Sequence, residues 1–149
     1  SHYQNAQRTL FKLLQLGVVP IVNENDTVAV QEIRFGDNDR LAALIAHLIG
    51  AELLILVSDI DALYDVPPTL AGAKRIGEVS NVSNLANIEI GGVGSSGVGS
   101  GGMVTKIDAA RIANGAGVAM LLTSLDKLSE ALNGADVGTY FAPVRDRKP

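Results

Sequence analysis

Two stretches of this sequence hold the residue types that chemistry needs. One is GGVGSSGVGSGGMVTK at 91–106, with seven glycines and three serines among its first twelve residues and then Lys106. Gly/Ser tracts are commonly flexible spacers. This one runs directly into a helical pattern, so its amides and the first unpaired N–H groups of that helix can converge on an anion. Lys106 is expected in the first turn, where the helix dipole disfavours a cation unless an anion sits nearby. On these residues alone, a spacer followed by a solvated lysine and a cradle for phosphate are equal readings. GSGGMVTK lacks the GxxxxGK[ST] spacing of a P-loop.

The other stretch is NENDTVAVQEIRFGDND at 23–39, which gathers Asn23, Glu24, Asn25, Asp26, Asp37, Asn38 and Asp39 around a short ribbon pattern. Amides and carboxylates together can fix an ammonium and a carboxylate, or orient a nucleophile. The same residue types favour turns and helix N-caps, and Asp37 or Asn38 suits the cap of the next helix. The DxDxDG spacing of a calcium loop is missing.

The elements that must position these groups read as follows. QNAQRTLFKLLQLG is a helix stopped by Gly17, and VVPIV (18–22) is a short strand weakened by Pro20, which cannot donate to a ladder. DNDRLAALIAHLIGA is a helix with its charges at the start and an apolar remainder that predicts burial all round. Residues 53–57, LLILV, form an unbroken apolar run, the pattern of a parallel strand covered on both faces. A weak strand is expected near 76–79, a helix over MVTKIDAARIANGAG, a buried strand at VAMLLTS, a short helix at LDKLSEALNG and a closing strand at VGTYFAP. The alternation predicts an α/β class with a largely parallel sheet. Ligands in such sheets gather at the carboxyl ends of the strands. Three apolar runs meet polar residues there: NEND at 23–26, Ser58-Asp59, and Thr123-Ser124.

Bulk properties narrow the function classes. At 149 residues the chain suits one domain with a real core, and 47% hydrophobic content argues against disorder. A net charge of −4 and a pI near 5.0 argue against a general nucleic-acid or anionic-membrane surface. No cysteine is present, so disulfides and thiolate metal sites are excluded, in keeping with a cytoplasmic protein. His47 sits in an apolar helix and His2 near the start, which makes a Ser/His or zinc centre a poor reading.

Three segments together resemble the amino-acid kinase family: PIVNENDTVAVQEIRFGDNDRLAAL (20–44), LLILVSDIDALYDVPP (53–68) and GSGGMVTKIDAARIANGAG (99–117). Their order and spacing match, and the resemblance covers nearly all of the chain. The GGM…K helix start and SDIDALY mark the family, and the NEND…GDND pair points to its glutamate-phosphorylating branch. The resemblance implies a three-layer αβα sandwich with a largely parallel sheet. It implies transfer of the γ-phosphoryl of ATP to the side-chain carboxylate of L-glutamate, giving glutamyl 5-phosphate on the way to proline. Acetylglutamate is the nearest alternative acceptor. Asp26 and Asn38 look like glutamate-binding residues, with Asn23 and Asp37 beside them. Asp39 resembles the carboxylate that orients catalytic lysine. Ser58 and Asp59 resemble a nucleotide contact, and Ser100, Gly101, Gly102, Met103, Val104, Thr105 and Lys106 the nucleotide loop. Lys106 would neutralise charge on the transferred group, and Mg²⁺ would be held through the nucleotide phosphates, not by side chains.

The family begins with a strand carrying a Lys-Gly motif and then a Ser-Gly turn, and neither is present here. Residues 1–149 therefore read as the C-terminal portion of an amino-acid kinase domain with no second domain, inactive alone, with a sheet edge open to self-association. Rival readings are a non-catalytic α/β module that senses an anionic metabolite, and a structural domain with a Gly/Ser linker.

Overall fold

The computed structural model describes residues 2–24, 37–87 and 101–144. Four α-helices are present among them: α1 (His2–Gln15), α2 (Asp37–Leu48), α3 (Gly101–Gly115) and α4 (Leu128–Leu132). The strands are β1 (Leu53–Ser58), β2 (Leu63–Tyr64), β3 (Arg75–Ile76), β4 (Glu78–Val79), β5 (Ala119–Ser124) and β6 (Thr139–Phe141).

Helices α2 and α3 end in the same way, and that ending builds the layer that positions the site. Gly50 and Gly117 take φ of 64° and 79°, a left-handed conformation that suits glycine. In each case the next amide reaches back across the last turn, Ala51 N–H to the Ala46 carbonyl and Val118 N–H to the Ala113 carbonyl, both 2.9 Å. The chain then turns straight into β1 or β5. These strands pair in parallel, from Leu53 beside Ala119 to Ser58 beside Ser124. Each helix runs back against the strand that follows it, so α2 and α3 lie parallel to one another. Both of their N-termini reach the carboxyl end of the sheet.

The main sheet has the order β1-β5-β6-β4, with β1–β5 and β6–β4 parallel and β5–β6 antiparallel. The expected α/β class with a mostly parallel sheet is borne out. Leu54, Leu56, Met120, Leu122 and Phe141 join a core with Ala43, Ala46, Ile107, Ala109, Ala110 and Ala113 from the two helices. Alanine at these helix positions lets α2 and α3 pack closely on one face of the sheet.

The antiparallel pair β2–β3 is tied to the main sheet by Thr139 and by Arg75, whose guanidinium donates to the Gly138 carbonyl (2.6 Å). The buried Thr139 hydroxyl accepts from the Leu63 amide (2.8 Å) and donates to the Ile76 carbonyl (2.6 Å). Asn114, also buried, donates to the carbonyls of Val118 and Phe141 and so ties the end of α3 to β6.

Several expectations need correction. Residues 18–24 form no strand, and Val19 and Ile21 are 84% and 95% exposed; Pro20 supplies no amide with which to join a ladder. Strand β1 is covered on one face only, since Leu53 and Val57 are exposed. Leu44 and His47 on α2 face outward, so that helix is not buried all round. The expected single strand near 76–79 is two short ones, β3 and β4, which break at Gly77 and join different sheets. The ribbon expected over 27–35 lies outside the described residues.

Candidate functional site

Asp39 opens a stripe on α2 that continues through Ala43 and Ala46, at spacings of four and three. Lys106 opens a matching stripe on α3 through Ala110 and Ala113. Such spacings put residues on one helix face. The faces that bring the two helices together thus carry one carboxylate and one ammonium at the carboxyl end of the sheet. Lys106 Nζ lies 3.1 Å from Asp39 Oδ2, with side-chain exposures of only 11% and 20%. The Thr105 hydroxyl lies 2.8 Å from the same Asp39 oxygen and 2.9 Å from the Gly102 carbonyl.

Helix α3 begins at Gly101, so Lys106 sits in the second turn and not the first, where the dipole's opposition to a cation has faded. Helical side chains lean toward the N-terminus, and this one folds back until Nζ is 4.0 Å from the point a Cβ on Gly102 would occupy. The ammonium therefore stands beside the first turn of α3. Among the described residues Asp39 is its one hydrogen-bond partner. Two of its three N–H groups are left for another acceptor.

The remaining expected residues are placed unevenly. Asp37 opens α2, and Asn38 is exposed beside Asp39. Asn23 is exposed on the segment before 25. Ser58 ends β1, donating to Asp59 (3.0 Å) and accepting from the Ile60 amide (3.2 Å), with Asp59 itself exposed. Gly101 and Gly102 form the first turn of α3, where Met103 is half-buried against the core and Val104 points outward. Asp26 and Ser100 lie outside the described residues. The hydroxyls of Thr123 and Ser124 are buried without a hydrogen-bond partner among the described residues, although Ser124 holds the cap position of the turn Leu125–Lys127. Each such group costs about 1–3 kcal/mol unless something satisfies it.

A second cluster at the same end escaped the sequence reading. Lys127 Nζ is 2.7 Å from Asp61 Oδ2, and the Tyr64 hydroxyl donates to the same carboxylate at 3.1 and 3.2 Å. Burial pushes the Asp61 carboxyl up, but hydrogen bonds from Lys127 and Tyr64 and the Lys127 charge outweigh it and hold it below its ordinary value. Burial and the bond to Asp61 push the Tyr64 phenol up. The bond to Asp61 pushes the Lys127 ammonium up. The nearest signal was SDID, where Asp61 follows Asp59 by two, but nothing local pairs it with Lys127.

An ammonium with spare donors among the described residues, braced by a carboxylate beside a glycine-started helix at the carboxyl ends of β1 and β5, has the chemistry to bind an anion. The chain belongs to the amino acid kinase family, whose model matches residues 1–124. It is 57% identical over 147 residues to a glutamate 5-kinase from Streptomyces avermitilis, covering 99% of this chain and 39% of that protein. It is 60% identical over 143 residues to a glutamate 5-kinase from Salinispora arenicola, covering 96% of this chain and 39% of that protein. The chain thus spans about two fifths of the length of these curated relatives. Among solved structures, the fold is similar to a UMP kinase from Bacillus anthracis, with a TM-score of 0.59 at 12% identity over 93% of this chain and 52% of that one.

Proposed function

We propose that this chain carries the phosphoryl-transfer centre of an enzyme that moves the γ-phosphoryl group of ATP onto the side-chain carboxylate of glutamate. The observation that carries the reading is the Lys106–Asp39 pair near the starts of two parallel helices, with two ammonium donors left over among the described residues. The high identity to relatives named glutamate 5-kinase supports the acceptor.

In this reading a glutamate carboxylate oxygen bonds to the γ-phosphorus as the bond to the β–γ bridging oxygen breaks, releasing ADP. Such transfers are driven by positioning and by electrostatic stabilisation. Lys106 places its two spare N–H groups on the phosphoryl oxygens, and Asp39 holds the ammonium in that direction. Gly102, where a Cβ would stand 4.0 Å from Nζ, leaves the backbone of the first turn open to a phosphate. Asp37 and Asn38, adjacent to Asp39 on α2, are assigned to the glutamate together with Asn23 and Asp26. Ser58, Asp59 and residues 100–104, with the backbone of Thr105, are assigned to the nucleotide. Mg²⁺ carried by the nucleotide would supply further charge neutralisation; among the described residues no three His, Cys, Asp or Glu side chains gather to hold a metal. The reading carries with it a cytoplasmic setting, no nucleic-acid partner and self-association of the chain. Among the described residues no helix is long and apolar enough to cross a membrane.

The test is a calorimetric titration of Mg-AMP-PNP into the chain and into Lys106→Ala. Losing one charge-assisted bond predicts at least about tenfold weaker binding in the variant. Equal binding by the two would overturn the assignment of Lys106. In the full-length protein, ADP release should require glutamate and disappear in Lys106→Ala, and turnover with acetylglutamate instead would replace the acceptor.

A further inference from the structure

We propose that Thr105 is a positioning residue whose hydroxyl acts on the phosphoryl group through Asp39 and Lys106, without touching the nucleotide. The inference rests on the reading of Lys106 above. It starts from proton count. A threonine hydroxyl has one proton, and both of its neighbours here are pure acceptors: Asp39 Oδ2 at 2.8 Å and the Gly102 carbonyl at 2.9 Å. A phosphate also needs donors. With its proton committed to either acceptor, Thr105 has nothing to offer a phosphate oxygen.

What the hydroxyl does offer is a second point of attachment for the carboxylate. Lys106 and Thr105 both contact Asp39 Oδ2, one as an ammonium at 3.1 Å and the other as a hydroxyl. Carboxylate rotation about its last torsion is soft, and an ammonium is a point charge that follows whichever oxygen is presented. With Lys106 alone, the pair can swing together. A second donor from the same helix pins the oxygen, and with it the direction of the two N–H groups that remain on Lys106. The bond to a charged carboxylate is the stronger of the hydroxyl's two choices. Gly102 supplies the alternative acceptor within α3 itself.

The experiment compares Thr105→Val, Thr105→Ser, Lys106→Ala and the double variant Thr105→Val/Lys106→Ala. Valine keeps the branched shape at a half-buried position and removes the proton; serine keeps the proton. With Mg-AMP-PNP as the probe, Thr105→Val should bind about fivefold more weakly, the size of one net hydrogen bond. Serine should restore affinity to within about twofold of the parent, a fraction of one such bond. In the Lys106→Ala background, valine should add nothing, because its effect passes through the lysine. An equal loss in that background would overturn the proposal and make Thr105 a direct contact or a purely structural one. Unchanged affinity in Thr105→Val would overturn it as well.

A ligand-free readout separates this idea from the reading on which it rests. The side-chain ¹⁵N resonance of Lys106 should move in Thr105→Val and return in Thr105→Ser. An unmoved resonance in the valine variant sinks the positioning role whatever the nucleotide does. Should Lys106→Ala bind Mg-AMP-PNP as well as the parent, the phosphoryl reading fails, while the resonance still reports on Thr105.

Discussion

The carboxyl end of the sheet carries two clusters of the same composition, a lysine, an aspartate and a hydroxyl, built in different ways. Lys106, Asp39 and Thr105 sit on two helices whose facing alanine stripes are already buried, and the lysine and aspartate are 11% and 20% exposed. Asp61 sits on the β1–β2 connection, Tyr64 in β2 and Lys127 on the turn after β5, with exposures of 38% and 26% for the Lys127–Asp61 pair. Among the described residues each ammonium has one hydrogen-bond partner, but it is Lys106 that lies beside the first turn of a glycine-started helix. In the second, Asp61 accepts from both Lys127 and Tyr64, and the cluster ties the β1–β2 connection and β2 to the turn after β5. Composition does not tell the two clusters apart. What separates them is which backbone elements present the groups and how much water reaches them.

The largest effect should come from breaking the drier pair. Asp39→Ala leaves the Lys106 ammonium nearly buried without a partner, so it should lower stability by about 3 kcal/mol, the lower end for a broken buried pair. Urea denaturation of the chain measures this. A loss no larger than that from breaking the Lys127 pair would erase the distinction between the clusters.

Next comes the clamp that presents the second cluster. Thr139→Val strips the ribbon of its bond from Leu63 N and to Ile76 O. A cost of about 1–3 kcal/mol follows from leaving buried polar groups unpaired, and amide exchange should quicken at Leu63 before it does in β5. Uniform quickening across both strands would mean that Thr139 supports the whole sheet.

A smaller effect is specific to acid. Asp61 has a folded pKa below its ordinary value, so the unfolded chain takes up its proton first as pH falls. Its stabilisation is complete above the unfolded pKa of about 3.9 and is lost as pH drops through the folded pKa. Stability curves of the parent and Asp61→Asn, measured from pH 6 downward in small steps (about one per half unit, to resolve a transition near pH 3.9), should converge in that acid window. Parallel curves would show that Asp61 has no folded-state preference for its charge.

Smallest of all should be Lys127→Met. The pair is solvent-accessible and screened by salt, so the change in melting temperature should be slight at low salt and vanish as sodium chloride is added. A salt-independent loss would place this pair among the buried ones.

The elements that were legible in the sequence are those with short-range signatures. Helix α3 was readable from Met103, Ile107, Ala110 and Ala113 at helical spacing with Gly115 and Gly117 at the stop, and β1 and β5 from unbroken apolar runs. Asp39 stood out at the start of a helix and Lys106 just behind a glycine-rich helix start, each beside residues of unusual density. Asp61 and Lys127 did not, since each is an ordinary loop charge until the fold sets the two side by side. The run VVPIV reads as a strand by hydrophobicity, yet a strand also needs a neighbour and a full set of amides, and Pro20 removes one.

The sequence by itself determined the local chemistry of this protein: where helices stop, which strand faces are apolar, and that a glycine-rich start precedes Lys106. Only the tertiary structure decided that Lys106 meets Asp39 across 67 residues and Lys127 meets Asp61 across 66. Propensity and periodicity act over a few residues, whereas these meetings depend on strand register. Parallel pairing of β1 with β5 sets Ser58 beside Ser124, draws α2 and α3 side by side, and so brings two helix starts, and the charges they carry, to one edge.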